Sequence, residues 1–228
     1  MNTTDRHIWF FKEARSGSEW LWKTLEGRLH KNCFAADPYG FGGVNPSMYE
    51  NFFNEHIERL SNINVFYATH YFPLLKEMRK LDNPYLIRST RRNKAEHCMS
   101  LLYFKMFSNS FHHWYVDPMA EARNTHFLRT LEKPVLVLKQ EVLKEMQKIQ
   151  RYDSLWREYS KDYENYVIVY EDLIDGVNLP LLEDPLKFSD NETFVKKTPN
   201  YKEKFFINYE QIIEWCKYYE KELGLDTF

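Results

Sequence analysis

Residues 7–25 read HIWFFKEARSGSEWLWKTL: an apolar run, a patch of Arg, Ser and Gly, then an amphipathic run that starts at Ser18, Glu19 and Trp20. The first part has the composition of a buried strand, expected over 7–12. The last part places Trp20, Leu21, Leu25 and Leu29 on one side of a helix expected over 18–30. Between them, Arg15-Ser16-Gly17-Ser18 forms a small-residue turn at the carboxyl end of a strand. A helix that begins there presents main-chain N–H groups and the positive end of its dipole. Gly17 permits close backbone approach, Ser16 and Ser18 carry hydroxyls, and Arg15 carries a fixed charge. Together these suit a phosphate or sulfate. The stretch also reads as an ordinary strand-to-helix turn capped by serine.

Outward from this turn, strands alternate with helices. Further strands are expected at 63–69, 84–89 and 166–170, and helices over 47–60, 72–80, about 118–130, 139–160 and 208–223. Another helix begins at Asn93, whose spacing to Glu96 is that of a capping box. Residues 31–48, with Gly40, Gly42, Gly43, Pro38 and Pro46, read as loop, and 175–205 as irregular. The alternation implies an α/β fold: a mainly parallel sheet of four to five strands with helices on both faces. A length of 228 residues makes one domain, 1–228, the expectation.

Composition excludes several classes. A formal charge of −2 gives no whole-surface attraction to nucleic acid or acidic membrane. No stretch reaches the roughly 20 apolar residues of a membrane span. The start MNTTDRH lacks the features of a signal peptide. Cys33, Cys98 and Cys216 are odd in number and widely spaced, which fits neither a disulfide framework nor a zinc site. A cytoplasmic location follows as the expectation. Aromatic residues reach 17%, which reads first as a ring-filled core.

Two further strand ends carry chemistry. In an open parallel sheet, ligands bind at the carboxyl ends of the strands. The second strand ends in Ala68-Thr69-His70, and an imidazole can take a proton near neutral pH; His70 also reads as a structural residue. The third ends in Arg88-Ser89-Thr90-Arg91-Arg92, with Arg92 at a helix entrance and Ser100 further along that helix. Arg92 with hydroxyl and N–H donors suits a phosphate monoester. Arg91 and Lys94 read as a solvated basic turn. The chain has no Gly-Lys pair, which excludes the triphosphatase loop, and no G-x-G-x-x-G turn.

Taken in order, these segments resemble the sulfotransferases that use 3′-phosphoadenosine 5′-phosphosulfate (PAPS). Arg15-Ser16-Gly17-Ser18-Glu19-Trp20-Leu21 is similar to that family's phosphosulfate loop, a P-loop-like turn. Thr69-His70-Tyr71-Phe72-Pro73 resembles the segment with the catalytic base, and Arg92-Asn93 with Ser100 resembles the segment that binds the 3′-phosphate. Tyr170-Glu171-Asp172-Leu173 matches a common Tyr-Glu-Asp-Leu. The resemblance covers roughly 7–25, 63–104 and 155–175.

It implies sulfonate transfer from PAPS to a hydroxyl or amine, with no metal. His70 would be the base and Arg15 the cation at the departing phosphate. Arg15, Ser16, Gly17, Ser18, Glu19 and Trp20 would hold the 5′-phosphate, mainly through main-chain N–H groups. Arg92 and Ser100 would hold the 3′-phosphate, and the tail with Lys196 and Lys197 would close over it. The acceptor would be a small molecule or a carbohydrate; Phe34, Tyr39, Phe41, Tyr103, Phe107 and Trp114 are candidates for its walls, though rings are more often core. The chain departs from the pattern at Ala14 (usually Pro), Glu19 (usually Thr) and Ala68 (usually Lys). The Glu19 carboxylate is expected to turn away from the cradle. Alternatives are a nucleotide-binding module without turnover and an interaction protein on a sulfotransferase-like fold.

Overall fold

The strand Ile8–Lys12 (β1) is buried at every residue. Its side chains alternate between two cores. Ile8 and Phe10 pack with Trp20, Leu21 and Leu25 of the helix Ser18–Leu29 (α1). Trp9 and Phe11 pack with Phe72, Leu74, Leu75, Met78 and Trp156. Each such side chain stabilises by roughly 1.5–3 kcal/mol relative to exposure. A strand with apolar residues on both faces gains this only at the centre of a sheet covered on both sides.

The computed structural model describes residues 6–14, 16–35, 51, 53–107, 134–187 and 202–225. Its sheet has five strands: β1, Asn32–Ala35 (β2), Val65–Thr69 (β3), Tyr85–Thr90 (β4) and Asn165–Val169 (β5). Their order is β2-β3-β1-β4-β5, and every pairing is parallel. This is the α/β fold expected. β1 is central because its chain leaves toward β2 and β3 on one side while β4 and β5 fill the other. The carboxyl ends of β3, β1, β4 and β5 therefore lie side by side, and the direction of winding reverses at β1, where such sheets bind ligands.

Most elements fall where the sequence places them. The expected short helix at 72–80 is a 3₁₀ helix, Phe72–Lys80. The expected helix over 47–60 is described at Ile57–Leu60 and in the turns before it; its first residues, and the helix expected at 118–130, lie outside the described residues. Two expectations are corrected. The stretch 175–205 reads as irregular, and its end forms a short helix, Lys202–Phe205. Residues 32–35 read as loop in the sequence but form a strand, hydrogen-bonded to β3 with Cys33 opposite Phe66. A short edge strand beside a Gly- and Pro-rich stretch takes its conformation from its neighbour, not from its own alternation.

The chain packs as two compact units. The first comprises Met1–Arg92 and Arg151–Phe194, and holds the whole sheet; the second comprises Asn93–Gln150 and Val195–Phe228. The division falls within the helix Lys139–Tyr159. In the second unit, the helices Lys94–Phe107 and Tyr209–Glu222 pack together. There Cys98 and Cys216 are buried thiols; a hydrogen bond to Cys216 and then burial push the Cys98 thiol well above its ordinary range. Among the described residues, no helix is long and apolar enough to cross a membrane.

Candidate functional site

The turn after β1 is held by hydrogen bonds of its own. Ser16 N–H and Oγ both donate to the Glu13 carbonyl, at 3.3 and 2.6 Å. Because that hydroxyl proton is directed at Glu13, Ser16 Oγ accepts from Ser89 Oγ at 2.8 Å. Ser16 thus ties the turn to β4 and fixes its shape. Gly17 adopts φ 72° and ψ 11°, the left-handed conformation that glycine takes without strain. The helix starts at Ser18 with no side chain capping it, and its first bond runs from Leu21 N–H to Gly17 C=O. Main-chain donors at 18–20 precede that bond, as at any helix start. The Trp20 ring is buried in the core, so only its backbone can serve a ligand. Arg15 and the side chain of Glu19 lie outside the described residues.

A second requirement holds at Gly17. A Cβ there would meet Tyr170 Cδ2 at 2.6 Å. The Tyr170 ring also lies under the Arg91 guanidinium, 4.3 Å from its Cζ. Arg91, expected to be merely solvated, is thus stacked on the tyrosine that closes against Gly17. Tyr170 begins the 3₁₀ turn Tyr170–Ile174 directly after β5.

Beneath the turn is a charged cluster that sequence reasoning missed. Glu13, the residue after β1, is fully buried. Arg88 Nε donates to Glu13 Oε1 at 2.6 Å, and its Nη2 pairs with both Glu13 and Asp153. Thr90 Oγ1 donates to Glu13 Oε2 at 2.9 Å. Burial disfavours the Arg88 cation, but the charges of Glu13 and Asp153 outweigh that and push its pKa up. A signal existed: PYLIRS puts an arginine inside a strand buried on both faces, and a buried charge needs partners.

His70 follows β3 and is half-buried. Its Nδ1 lies 2.8 Å from the Lys12 carbonyl oxygen. A carbonyl only accepts, so Nδ1 carries the proton, and in the neutral ring Nε2 is the basic nitrogen. Thr69 Oγ1 accepts from Tyr71 N–H at 3.0 Å, which shapes the exit from β3. Lys12 is buried, with its Nζ 4.3 Å from the centre of the Trp22 ring.

Arg92 follows β4 and is exposed. Its Nη2 donates to Asp172 Oδ1 and Oδ2 at 2.7 and 2.9 Å. Its main-chain N–H donates to Glu171 Oε2 at 2.8 Å. The residues matching Tyr-Glu-Asp-Leu therefore reach three points: Tyr170 at Gly17, Glu171 at the Arg92 backbone, Asp172 at the Arg92 side chain.

The first unit thus brings together the Ser16–Ser18 turn, His70 and Arg92 at one edge of the sheet. Ser100 belongs to the second unit and is buried on the helix Lys94–Phe107. The Asn93 side chain accepts from Glu96 N–H at 2.9 Å, the N-cap bond of the expected capping box. Of the proposed acceptor walls, Tyr103 is buried against Phe205 in the second unit, with ring centres 5.2 Å apart. Tyr39, Phe41, Trp114, Lys196 and Lys197 lie outside the described residues, as do the side chains of Phe34 and Phe107. Comparison with protein-family models, with curated proteins and with solved structures finds no match.

Proposed function

We propose that the protein transfers a sulfonate group from PAPS to a hydroxyl or amine of a small-molecule or carbohydrate acceptor. The observation that carries this reading is topological. Four neighbouring strands in the order β3-β1-β4-β5 end in His70, the Ser16–Ser18 turn, Arg92 and Tyr170. These are the segments that resemble the sulfotransferases, and one edge of one sheet gathers them.

The residues fit an anionic donor. The N-cap of α1 is Gly17, which makes no side-chain cap bond, so the first main-chain N–H groups of the helix can serve a ligand. Arg92 already holds carboxylates on its guanidinium and its main-chain N–H, which is how an anion site behaves. Bound there, PAPS would supply an activated sulfonate group with a phosphate as leaving group. Main-chain N–H groups at 18–20 and Arg15 would hold its 5′ end, and Arg92 its 3′-phosphate. The chain's part is mostly positioning and charge stabilisation. His70 receives the acceptor's proton at Nε2 while Nδ1–H stays on the Lys12 carbonyl, which fixes the ring's orientation.

The test joins radiolabelled sulfonate transfer across a panel of phenols, alcohols, amines and sugars to calorimetry with the desulfated product, 3′-phosphoadenosine 5′-phosphate. Transfer is expected to one acceptor class. In His70→Ala it falls by about 10²–10⁴-fold, with product affinity nearly intact. Product binding without any transfer would leave a binding module; no product binding would end the donor assignment.

A further inference from the structure

Arg92 offers two kinds of donor at one place, a guanidinium and the adjacent main-chain N–H. That combination suits a phosphate monoester. Here both are taken by carboxylates from consecutive residues, Glu171 on the N–H and Asp172 on the guanidinium. The turn that presents them is anchored on either side. Tyr170 is wedged between Gly17 and Arg91, and Leu173 is fully buried. The Asp172 carboxylate reaches outward: the Arg92 and Asp172 side chains are 60% and 43% exposed. An ion pair so open to water has a small net worth. Asp172 also lines an open groove of about 390 Å³ with Asp175, Gly176 and Asn178, which gives a displaced carboxylate polar surroundings and no apolar core to enter.

We infer that Asp172 is a built-in anion that holds Arg92 until a 3′-phosphate displaces it. This rests on the proposed sulfotransferase reading and adds a regulatory contact to its nucleotide site. The exchange swaps the Asp172 carboxylate for a phosphate carrying more charge on the Arg92 guanidinium, while the Arg92 main-chain N–H stays with Glu171. It opposes the binding of any ligand with a 3′-phosphate and so speeds departure of the desulfated product. A nucleotide without that phosphate leaves the pair closed and is indifferent to it.

Calorimetric titration of wild type, Asp172→Asn and Asp172→Ala with 3′-phosphoadenosine 5′-phosphate and with adenosine 5′-phosphate tests this, after circular dichroism has shown each variant folded. Both variants are expected to bind the 3′-phosphorylated nucleotide about two- to five-fold more tightly, and adenosine 5′-phosphate unchanged. If wild type prefers the 3′-phosphorylated nucleotide but the folded variants bind it equally or more weakly, the exchange is overturned and the donor reading stands. If wild type binds neither nucleotide, both are overturned. Tightening of both nucleotides alike would also overturn the exchange, since it would act elsewhere than at the 3′-phosphate.

Discussion

Arg88 and Arg92 leave the same strand and each is bound by carboxylates, yet they sit in opposite solvents. Arg88 is 1% exposed, with two acidic partners as buried as itself. Arg92 is largely in water with Asp172 beside it. In the buried cluster no ligand can compete, because the cost of taking these charges from water has already been met by the fold. At Arg92 the partner is weakly held, as the proposed exchange requires. The pairing chemistry is similar; the dielectric makes one pair a framework contact and leaves the other weak and open to solvent.

The largest expected effect comes from breaking the framework side. Arg88→Met keeps the volume but leaves Glu13 and Asp153 buried without their cation. Losing one partner of a buried pair costs about 3–5 kcal/mol, read as a drop in the urea midpoint. The combination Arg88→Met, Glu13→Gln, Asp153→Asn should recover part of it, because no uncompensated charge remains. If the single variant loses under about 1 kcal/mol, Arg88 behaves like a surface arginine and the contrast fails.

Gly17→Ala sharpens the comparison from the turn that Tyr170, the neighbour of Glu171 and Asp172, closes against. Its φ of 72° disfavours any side chain, and the new methyl would collide with the Tyr170 ring. A loss of about 1–3 kcal/mol is expected. Because Tyr170, Glu171 and Asp172 are consecutive, pushing the ring away should also disturb the bonds to Arg92. Gly17→Ala with Tyr170→Ala should then regain stability relative to Gly17→Ala alone. Additive losses would show that the collision is not what costs.

How legible this was in the sequence follows from the same contrast. β1, α1, β3, β4 and β5 announce themselves, since their apolar runs and turn residues are local signals. β2 does not, because Asn32–Ala35 becomes a strand only by pairing with β3. At the site, Gly17, His70 and Arg92 were readable as chemistry-bearing residues at strand ends. Their partners were not: Glu13, Asp153 and Tyr170 meet Arg88 and Gly17 across wide sequence separations. Ser16 shows the limit of reading residue type alone. By residue type its hydroxyl reads as a ligand donor; in the structure it donates to the Glu13 carbonyl.

The smallest effect lies on the exposed side and is the one most dependent on conditions. A double-mutant cycle of Arg92→Ala and Asp172→Ala, followed by urea unfolding, isolates that pair. With both side chains open to solvent, the coupling should be about 0.2–1 kcal/mol. Raising the salt to 1 M shortens the screening length to about 3 Å, comparable with the charge separation, so the coupling should shrink toward zero. The Arg88→Met loss should hardly change under the same salt, because mobile ions do not enter a cluster sealed from water. A coupling above about 2 kcal/mol that salt leaves intact would place Arg92 in the same class as Arg88. An incoming phosphate would then face a closed framework contact in place of an exchangeable one. Arg92 would be a fixture of the sheet edge, with nucleotide recognition left to the Ser16–Ser18 turn.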